Sequence, residues 1–348
     1  MINPIRLFKV ACLSALVSGC QIGSRIEHGN VAFDVSPDGQ KIVFSAADND
    51  LYLLNLTTNV VEPLTHSPIT ESGPSFSPDG KSVLYSADAP NGKGQALYRL
   101  TLKDKVAQRL TTDTTVSDMN PAFSADGTKI TFARAHWYRE YSMGGMVWRD
   151  WDAYVMNADG TGVARLTTKK YYGMSSPGFT RDSKAVIYSG DAAYPDAEKA
   201  SDTLRTLLQV SVENPGEPIV LLPMPKRPKP GKSQGAMGSD PDLATDGTRI
   251  AFISDKTEPF SYDVCTVKSD GSDWVSLKVT RTSGYNQQPR YLPDGKSVLY
   301  LAGTEYNAGN RPIFSLWQVN TDGSKAHQVA DSGLFTAPLT WQPKPQGT

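Results

Sequence analysis

Phe76-Ser77-Pro78-Asp79-Gly80-Lys81-Ser82-Val83-Leu84-Tyr85 reads as the end of one strand, a turn and the start of another, and it recurs along the chain. Asp-Gly supplies a tight hairpin turn because glycine takes positive φ at little cost. Val83 and Tyr85, two positions apart, share one face of the strand that follows. Ser-Pro-Asp-Gly also stands at 36–39, and Ser124-Ala125-Asp126-Gly127 follows. Then come Arg181-Asp182-Ser183, Thr245-Asp246-Gly247 and Pro293-Asp294-Gly295. From aspartate to aspartate the intervals are 41, 47, 56, 64 and 48 residues.

Working outward, each copy has the same parts. A short first strand ends at Val35, Phe76, Phe123, Phe179, Leu243 or Tyr291. The second strand carries Ile42/Phe44, Val83/Tyr85, Ile130/Phe132, Val186/Tyr188, Ile250/Phe252 or Val298/Tyr300. A third begins near Leu51, Leu97, Ala153, Leu207, Val264 and Leu316, and an edge-like fourth ends near Leu64, Leu110, Leu166, Leu221, Val279 and Val329. Four antiparallel strands per unit, at periods in this range, signify blades. The expectation is an all-β chain, a six-bladed β-propeller with seven blades as the alternative. Pro338-Leu339-Thr340-Trp341-Gln342-Pro343 resembles another first strand that would latch the C-terminus into the first blade, while residues 31–36 compete for that place.

These columns resemble the TolB-type WD40-like (PD40) propeller repeat, with its Pro-x-[Phe/Trp]-Ser-Pro-Asp-Gly core, over residues 30–343. The resemblance implies the fold far more than any function, because propellers host many unrelated activities. The first repeat begins about ten residues after Cys20, which leaves no room for the N-terminal α/β domain of TolB itself.

The N-terminus reads as an export signal. Arg6 and Lys9 precede an apolar stretch of eight residues, Val10 to Val17, and Val17-Ser18-Gly19-Cys20 closes it. Eight residues are too few for a bilayer, which needs roughly 20, but they suit a signal peptide. The closing segment resembles the bacterial lipobox. That resemblance implies lipidation of Cys20, with 1–19 removed, 20–29 as a tether and 344–348 as a tail. Gln21 is not the aspartate that retains lipoproteins in the inner membrane, so the expected address is the outer membrane, facing the periplasm. The formal charge is -1, and loss of Arg6 and Lys9 makes it -3. A nucleic-acid partner would call for a basic face and is not expected. Beyond Cys20 only Cys265 remains, so no disulfide framework is possible, and Cys265 takes a core tyrosine's column as an inert thiol.

Loop lengths point to a working surface. From third-strand to fourth-strand column the gap is 10, 10, 10, 11, 12 and 10 residues. The connections from second to third strand, on the other face, span 46–50, 87–96, 134–152, 190–206, 254–263 and 302–315. Variable loops on a constant scaffold are where binding resides. The longest holds the candidate partner-binding residues Trp137, Tyr138, Arg139, Tyr141, Trp148, Arg149 and Trp151, around Gly144-Gly145. Trp, Tyr and Arg dominate interface hot spots. The competing reading is a plug, its aromatics buried over the channel. Lys226 to Lys232 reads as a Pro-rich solvated linker or as a contact for anionic lipid.

Residues before the inner-strand proline, chiefly Glu71, Asp118 and Asp240 with Asn120, Gln287 and Gln288, form a candidate Ca²⁺ or Mg²⁺ ring at the channel mouth. The plainer reading makes them solvated loop ends. Asp159, Asp270 and Asp322, each before glycine, fit turn chemistry better than calcium loops. Catalysis finds little support: neither G-x-S-x-G nor H-E-x-x-H occurs, and His28, His66, His136 and His327 form no close pair. The expected function is a lipid-tethered, monomeric interaction module binding an envelope protein or a peptidoglycan-associated partner. The alternative is a carbohydrate-binding or carbohydrate-cleaving propeller.

Overall fold

The computed structural model describes residues 31–90, 93–140, 146–193, 203–224, 238–258, 261–279, 285–306 and 312–342. They form six four-stranded antiparallel sheets, each with its strands in chain order. Blade 1 holds β1 (Phe33–Val35), β2 (Lys41–Ser45), β3 (Leu51–Asn55) and β4 (Val61–Pro63). Blade 2 holds β5 (Glu71–Phe76), β6 (Ser82–Asp88), β7 (Gln95–Thr101) and β8 (Val106–Arg109). Blade 3 holds β9 (Ser117–Phe123), β10 (Lys129–Glu140), β11 (Met146–Asn157) and β12 (Ala164–Arg165). Blade 4 holds β13 (Ser175–Phe179), β14 (Ala185–Ala193), β15 (Thr203–Ser211) and β16 (Ile219–Val220). Blade 5 holds β17 (Ser239–Leu243), β18 (Arg249–Glu258), β19 (Ser261–Lys268) and β20 (Val275–Ser276). Blade 6 holds β21 (Asn286–Tyr291), β22 (Ser297–Tyr306), β23 (Pro312–Asn320) and β24 (His327–Ala330).

The repeated turn explains its own sequence. In blade 1, Asp38 Oδ1 accepts hydrogen bonds from Ser36 Oγ (2.5 Å) and from the Gln40 N–H (3.0 Å). Ser36 Oγ in turn accepts from the Lys41 N–H at 2.9 Å, and Gly39 takes φ +70°. Serine, aspartate and glycine each serve the same tight turn, and Ser77/Asp79 and Ser124/Asp126 repeat it.

Between adjacent blades lies an apolar core. Ile42 and Phe44 face blade 6, while Val43 between them faces blade 2. Both sides of a central strand are therefore buried, one per neighbour. Phe44, Phe132, Phe252 and Tyr188 are fully enclosed. The first strands touch in succession, and β21 returns to touch β1, which closes the ring.

That closure settles the competition between the termini. Residues 33–35 form the first strand of blade 1, and Pro338–Thr340 is a 3₁₀ turn. A short helix, α1 (Gly333–Thr336), precedes it and seats Leu334 and Phe335 between Phe33, Phe44, Leu301 and Leu316. The Ala47 N–H donates to the Phe335 carbonyl at 2.9 Å. Every blade is thus a contiguous stretch of chain.

Two sequence expectations need correction. The expected loops of blades 3, 5 and 6 are largely strand, and that of blade 4 is strand at 190–193 and 203–206; β10 and β11 run twelve residues each and stay paired to Glu140↔Met146. Aromatic and β-branched residues favour strands, and pairing satisfies backbone groups that a loop would leave to water. In blade 5 the fourth-strand column belongs to Leu277, not Val279. The buried Leu277 donates its N–H to Val264 O, as Leu64 does to Leu51 O.

Candidate functional site

The β10–β11 hairpin stands on a fixed base. Arg134 reaches back to Asp118 in the first strand, with Nε to Oδ1 at 2.6 Å and Nη2 to Oδ2 at 2.8 Å. Its guanidinium also lies 5.3 Å from the Phe132 ring and 5.0 Å from that of Tyr154. The Tyr154 hydroxyl meets His136 Nε2 at 2.9 Å. Burial and the neighbouring Arg165 and Arg134 hold the His136 pKa below its usual value. On the other strand, Trp151 and Tyr171 exchange backbone hydrogen bonds of 3.0 and 2.9 Å.

The expected binding residues separate along this hairpin. Trp151 is buried in the core between blades 3 and 4, beside Tyr171, Met174 and Tyr188, and is not presented to a ligand. Trp148 is half-buried: its carbonyl accepts from Trp151 Nε1 at 3.2 Å, and its ring leans over Gly94 of blade 2. Arg149 lies over the Tyr172 ring at 4.9 Å, and Tyr172 is 50% exposed. Trp137, Tyr138 and Arg139 occupy β10 opposite Arg149, Trp148 and Val147. Tyr141 falls outside the described residues. Sequence reasoning missed Tyr172, because it belongs to the connection into blade 4 and meets Arg149 only in three dimensions.

Glu71, Asp118 and Asp240 do not form a ring. Among the described residues no group of three or more His, Cys, Asp or Glu is gathered to hold a metal ion. Glu71 is buried, accepting from Thr65 and from Ser67 Oγ at 3.1 Å, and burial raises its pKa. Asp118 is committed to Arg134. Asp240 accepts from the Gln288 N–H at 3.4 Å. The reason lies in the strand. Glu71 and Asp118 stand three before the proline, whereas Asp240 stands one before it. A bulge intervenes in each of blades 2 to 6, where Gly73, Asn120, Ser176, Asp240 and Gln288 all take positive φ. Asp159, Asp270 and Asp322 serve turns, each accepting from the N–H two residues on at 2.9, 2.8 and 2.8 Å.

The charged residues at the inner strands are others. Asp34 Oδ2 accepts from Phe76 N (2.8 Å) of blade 2, and its Oδ1 stands 3.9 Å from Arg290 Nε of blade 6. Asp242 Oδ2 accepts from Tyr291 N at 2.7 Å. Burial pushes the Asp242 carboxyl up to about 6, against the pull of Arg290, and raises Asp34 as well. Blades 2, 3 and 4 place Ser75, Ala122 and Gly178 at the equivalent position, so charge gathers on one wall. The signal was available one residue after the proline rather than before it.

Comparison with known proteins agrees with this architecture. Residues 12–146 match the family model described as PD40, TolB beta propeller domain. An uncharacterized protein of Agrobacterium fabrum is 28% identical over 100 residues, which is 28% of this chain and 33% of that one. The crystal structure of TolB from Acinetobacter baumannii superposes with a TM-score of 0.59 at 18% identity, over 89% of this chain and 65% of that one. The putative TolB from Agrobacterium tumefaciens gives 0.58 at 19% identity, over 79% and 86%. Oligogalacturonate lyase from Vibrio parahaemolyticus gives 0.57 at 15%, over 87% and 78%. The chain therefore spans about a third of the sequence relative and under two thirds of the Acinetobacter TolB, and at these identities the solved structures bear on fold alone.

Proposed function

We propose that this TolB-type PD40 propeller is an interaction module of the bacterial cell envelope. It holds an envelope protein or a peptidoglycan-associated partner on the face that carries the β10–β11 hairpin. The observation supporting this reading is the pair Trp148 and Arg149 beside Tyr172. They are half-buried or exposed aromatic and guanidinium groups, anchored by the buried Trp151 one turn of the pleat below. Pre-positioned Trp, Tyr and Arg are what a binding hot spot needs. A carbohydrate-cleaving site would want carboxylates facing one another across a pocket. Here Asp150 and Asp191 instead each stand beside a cation, Lys170 at 3.9 Å and Arg205 at 3.6 Å.

A photo-crosslinking residue at position 149, compared in cells with one at Asp159 on the constant face, tests this. Discrete adducts from 149 alone support it; the same adducts from both positions, or none from 149, count against it. The lipid on Cys20 and the outer-membrane address belong to the same proposal. Cys20→Ser should move the protein into the soluble periplasmic fraction, and a variant as tightly membrane-bound as wild type would remove the anchor.

A further inference from the structure

The β10–β11 hairpin is not one continuous ladder. Pairing runs from Lys129↔Asn157 to Ala135↔Trp151, passes over His136 and Asp150, and resumes from Trp137↔Arg149 to Glu140↔Met146. At the interruption Asp150 takes φ +59°, a conformation uncommon for any residue but glycine. Just below it, the backbone bonds between Trp151 and Tyr171 fix the base of the hairpin. Base and outer arm therefore meet at a single irregular step, and a few residues that absorb a change in φ and ψ are what a hinge needs. The arm is seated towards both neighbouring blades. Trp148 leans so closely over Gly94 of blade 2 that a methyl group there would stand 2.7 Å from Cζ2, and Arg149 lies over the Tyr172 ring at 4.9 Å.

His136 stands at this step. With its ring neutral, Nε2 accepts from the Tyr154 hydroxyl at 2.9 Å, which ties the hinge to the base. The residue is otherwise exposed, so a proton reaches it from solvent. The charged groups around it are Arg134 of β10, Asp152 of β11, Arg165 of β12, Asp118 of β9 and Asp113 in the connection before β9. The carboxylates among them are already engaged. Asp118 holds Arg134 through both oxygens, at 2.6 and 2.8 Å. Asp152 accepts from Arg165, from Thr167 Oγ1 at 2.7 Å and from the Lys169 N–H at 2.9 Å. Asp113 Oδ1 accepts from the Thr115 N–H at 2.9 Å and from its hydroxyl at 2.7 Å. An imidazolium here would be a third cation beside two guanidiniums whose own carboxylates are spoken for. Partial burial and those guanidiniums hold the seated ring below the ordinary histidine value of 6.5, so a ring released to solvent takes the proton more readily. Below that ordinary value, proton binding favours the released arm.

We propose that the outer arm of the hairpin is a pH-gated element, seated on Gly94 and Tyr172 while His136 is neutral and released when His136 is protonated. The gate regulates the binding surface proposed above and rests on that reading for its purpose, while the motion itself needs no partner. Mature protein carrying 5-fluorotryptophan is followed by ¹⁹F NMR with a soluble gadolinium chelate, Trp148→Phe and Trp151→Phe assigning the two resonances. From pH 7.5 to pH 5.0 the relaxation of the Trp148 fluorine by the chelate is expected to rise at least about threefold, while that of Trp151 in the base stays constant. His136→Gln should abolish the rise. Arg165→Gln, which removes one guanidinium and leaves Asp152 free to face an imidazolium, should at least halve it, and it decides the matter if His136→Gln leaves the arm unseated at both pH values. An unchanged Trp148 signal, a rise that survives His136→Gln, a rise of full size in Arg165→Gln, or an equal rise at Trp151 overturns the proposal. The signal is read on the protein alone, so a face that yields no adducts from position 149 fails separately from the gate.

Discussion

Pro293 and Gly39 meet across the seam where the last blade joins the first: a methyl group on Gly39 would stand 3.1 Å from Pro293 Cδ. The same turn-on-turn contact joins Pro37 to Gly80 and Pro78 to Gly127, at 3.7 and 3.9 Å. The repeated Pro-Asp-Gly therefore does two jobs. It reverses the chain, and it leaves room for the neighbouring blade's turn. The seam is made like other joints of the ring, with the C-terminal segment laid across it.

The second set of turns gives the sharper test. Gly271 has φ +85°, and a methyl group there would lie 1.8 Å from the carbonyl oxygen of Leu221 in blade 4. Gly295 has φ +66° with open space around it. Gly295→Ala should cost about 1 kcal/mol, the conformational penalty alone. Gly271→Ala should cost at least twice that, and thermal or denaturant melts that rank the two equally would show that the turn does not seat against blade 4.

Phe335 packs edge-on against Phe44 at 5.5 Å and fills the core between blades 6 and 1. Phe335→Ala should destabilise by about 3–5 kcal/mol, as for other fully buried aromatics. Hydrogen exchange should rise first in β1 and β21 on either side of the seam, and a uniform rise through all six blades would contradict the latch.

Within the hairpin, burial predicts a split. Trp151→Ala opens a cavity beside Tyr171 and Tyr188 and should cost about 3–5 kcal/mol. Trp148→Ala with Arg149→Ala should lower the melt far less and abolish capture of the partner. A double variant that melts as low as Trp151→Ala would make the whole hairpin a structural plug.

Asp242 makes stability depend on pH. Its folded pKa, about 6, lies above the ordinary carboxylate value of 3.8, so between about pH 4 and 6 the folded state holds a proton that the unfolded chain has released. Stability therefore falls as pH rises through that window, and the cost persists above it. The loss is on the order of 3 kcal/mol at 1.36 kcal/mol per pH unit. Asn at 242 keeps an oxygen for the Tyr291 N–H and carries no charge. The melt of Asp242→Asn relative to wild type should be more favourable at pH 8 than at pH 5, and a difference constant across that range would place the titration elsewhere.

The blades were legible because every turn and column is local: aspartate, glycine and a β-branched/aromatic pair lie within ten residues of one another. Phe44, Phe132 and Tyr188 could be assigned to the core from spacing alone. The site was only half legible. Trp148 and Trp151 are three residues apart and look alike in sequence, yet strand alternation and the Tyr171 bridge bury one fully and leave the other half-buried at the edge of the same core. The expected metal ring failed because counting back from proline ignores the bulge, which adds one residue to the strand and redirects its side chains. Asp34 and Arg290 belong to blades 1 and 6, and no local pattern could have paired residues 256 apart.

Because no sheet borrows a strand from the far end of the chain, the ring can be recut. New termini in the connection between blades 1 and 2, with residues 342 and 31 joined by a short linker, would leave all six sheets whole. Rings that share a strand between both termini need those termini joined before that sheet becomes one contiguous stretch of chain. The same property means that one uninterrupted segment of chain carries each whole blade. Duplication of such a segment would add a blade without rethreading the backbone, but in a closed ring every blade-to-blade angle would have to readjust.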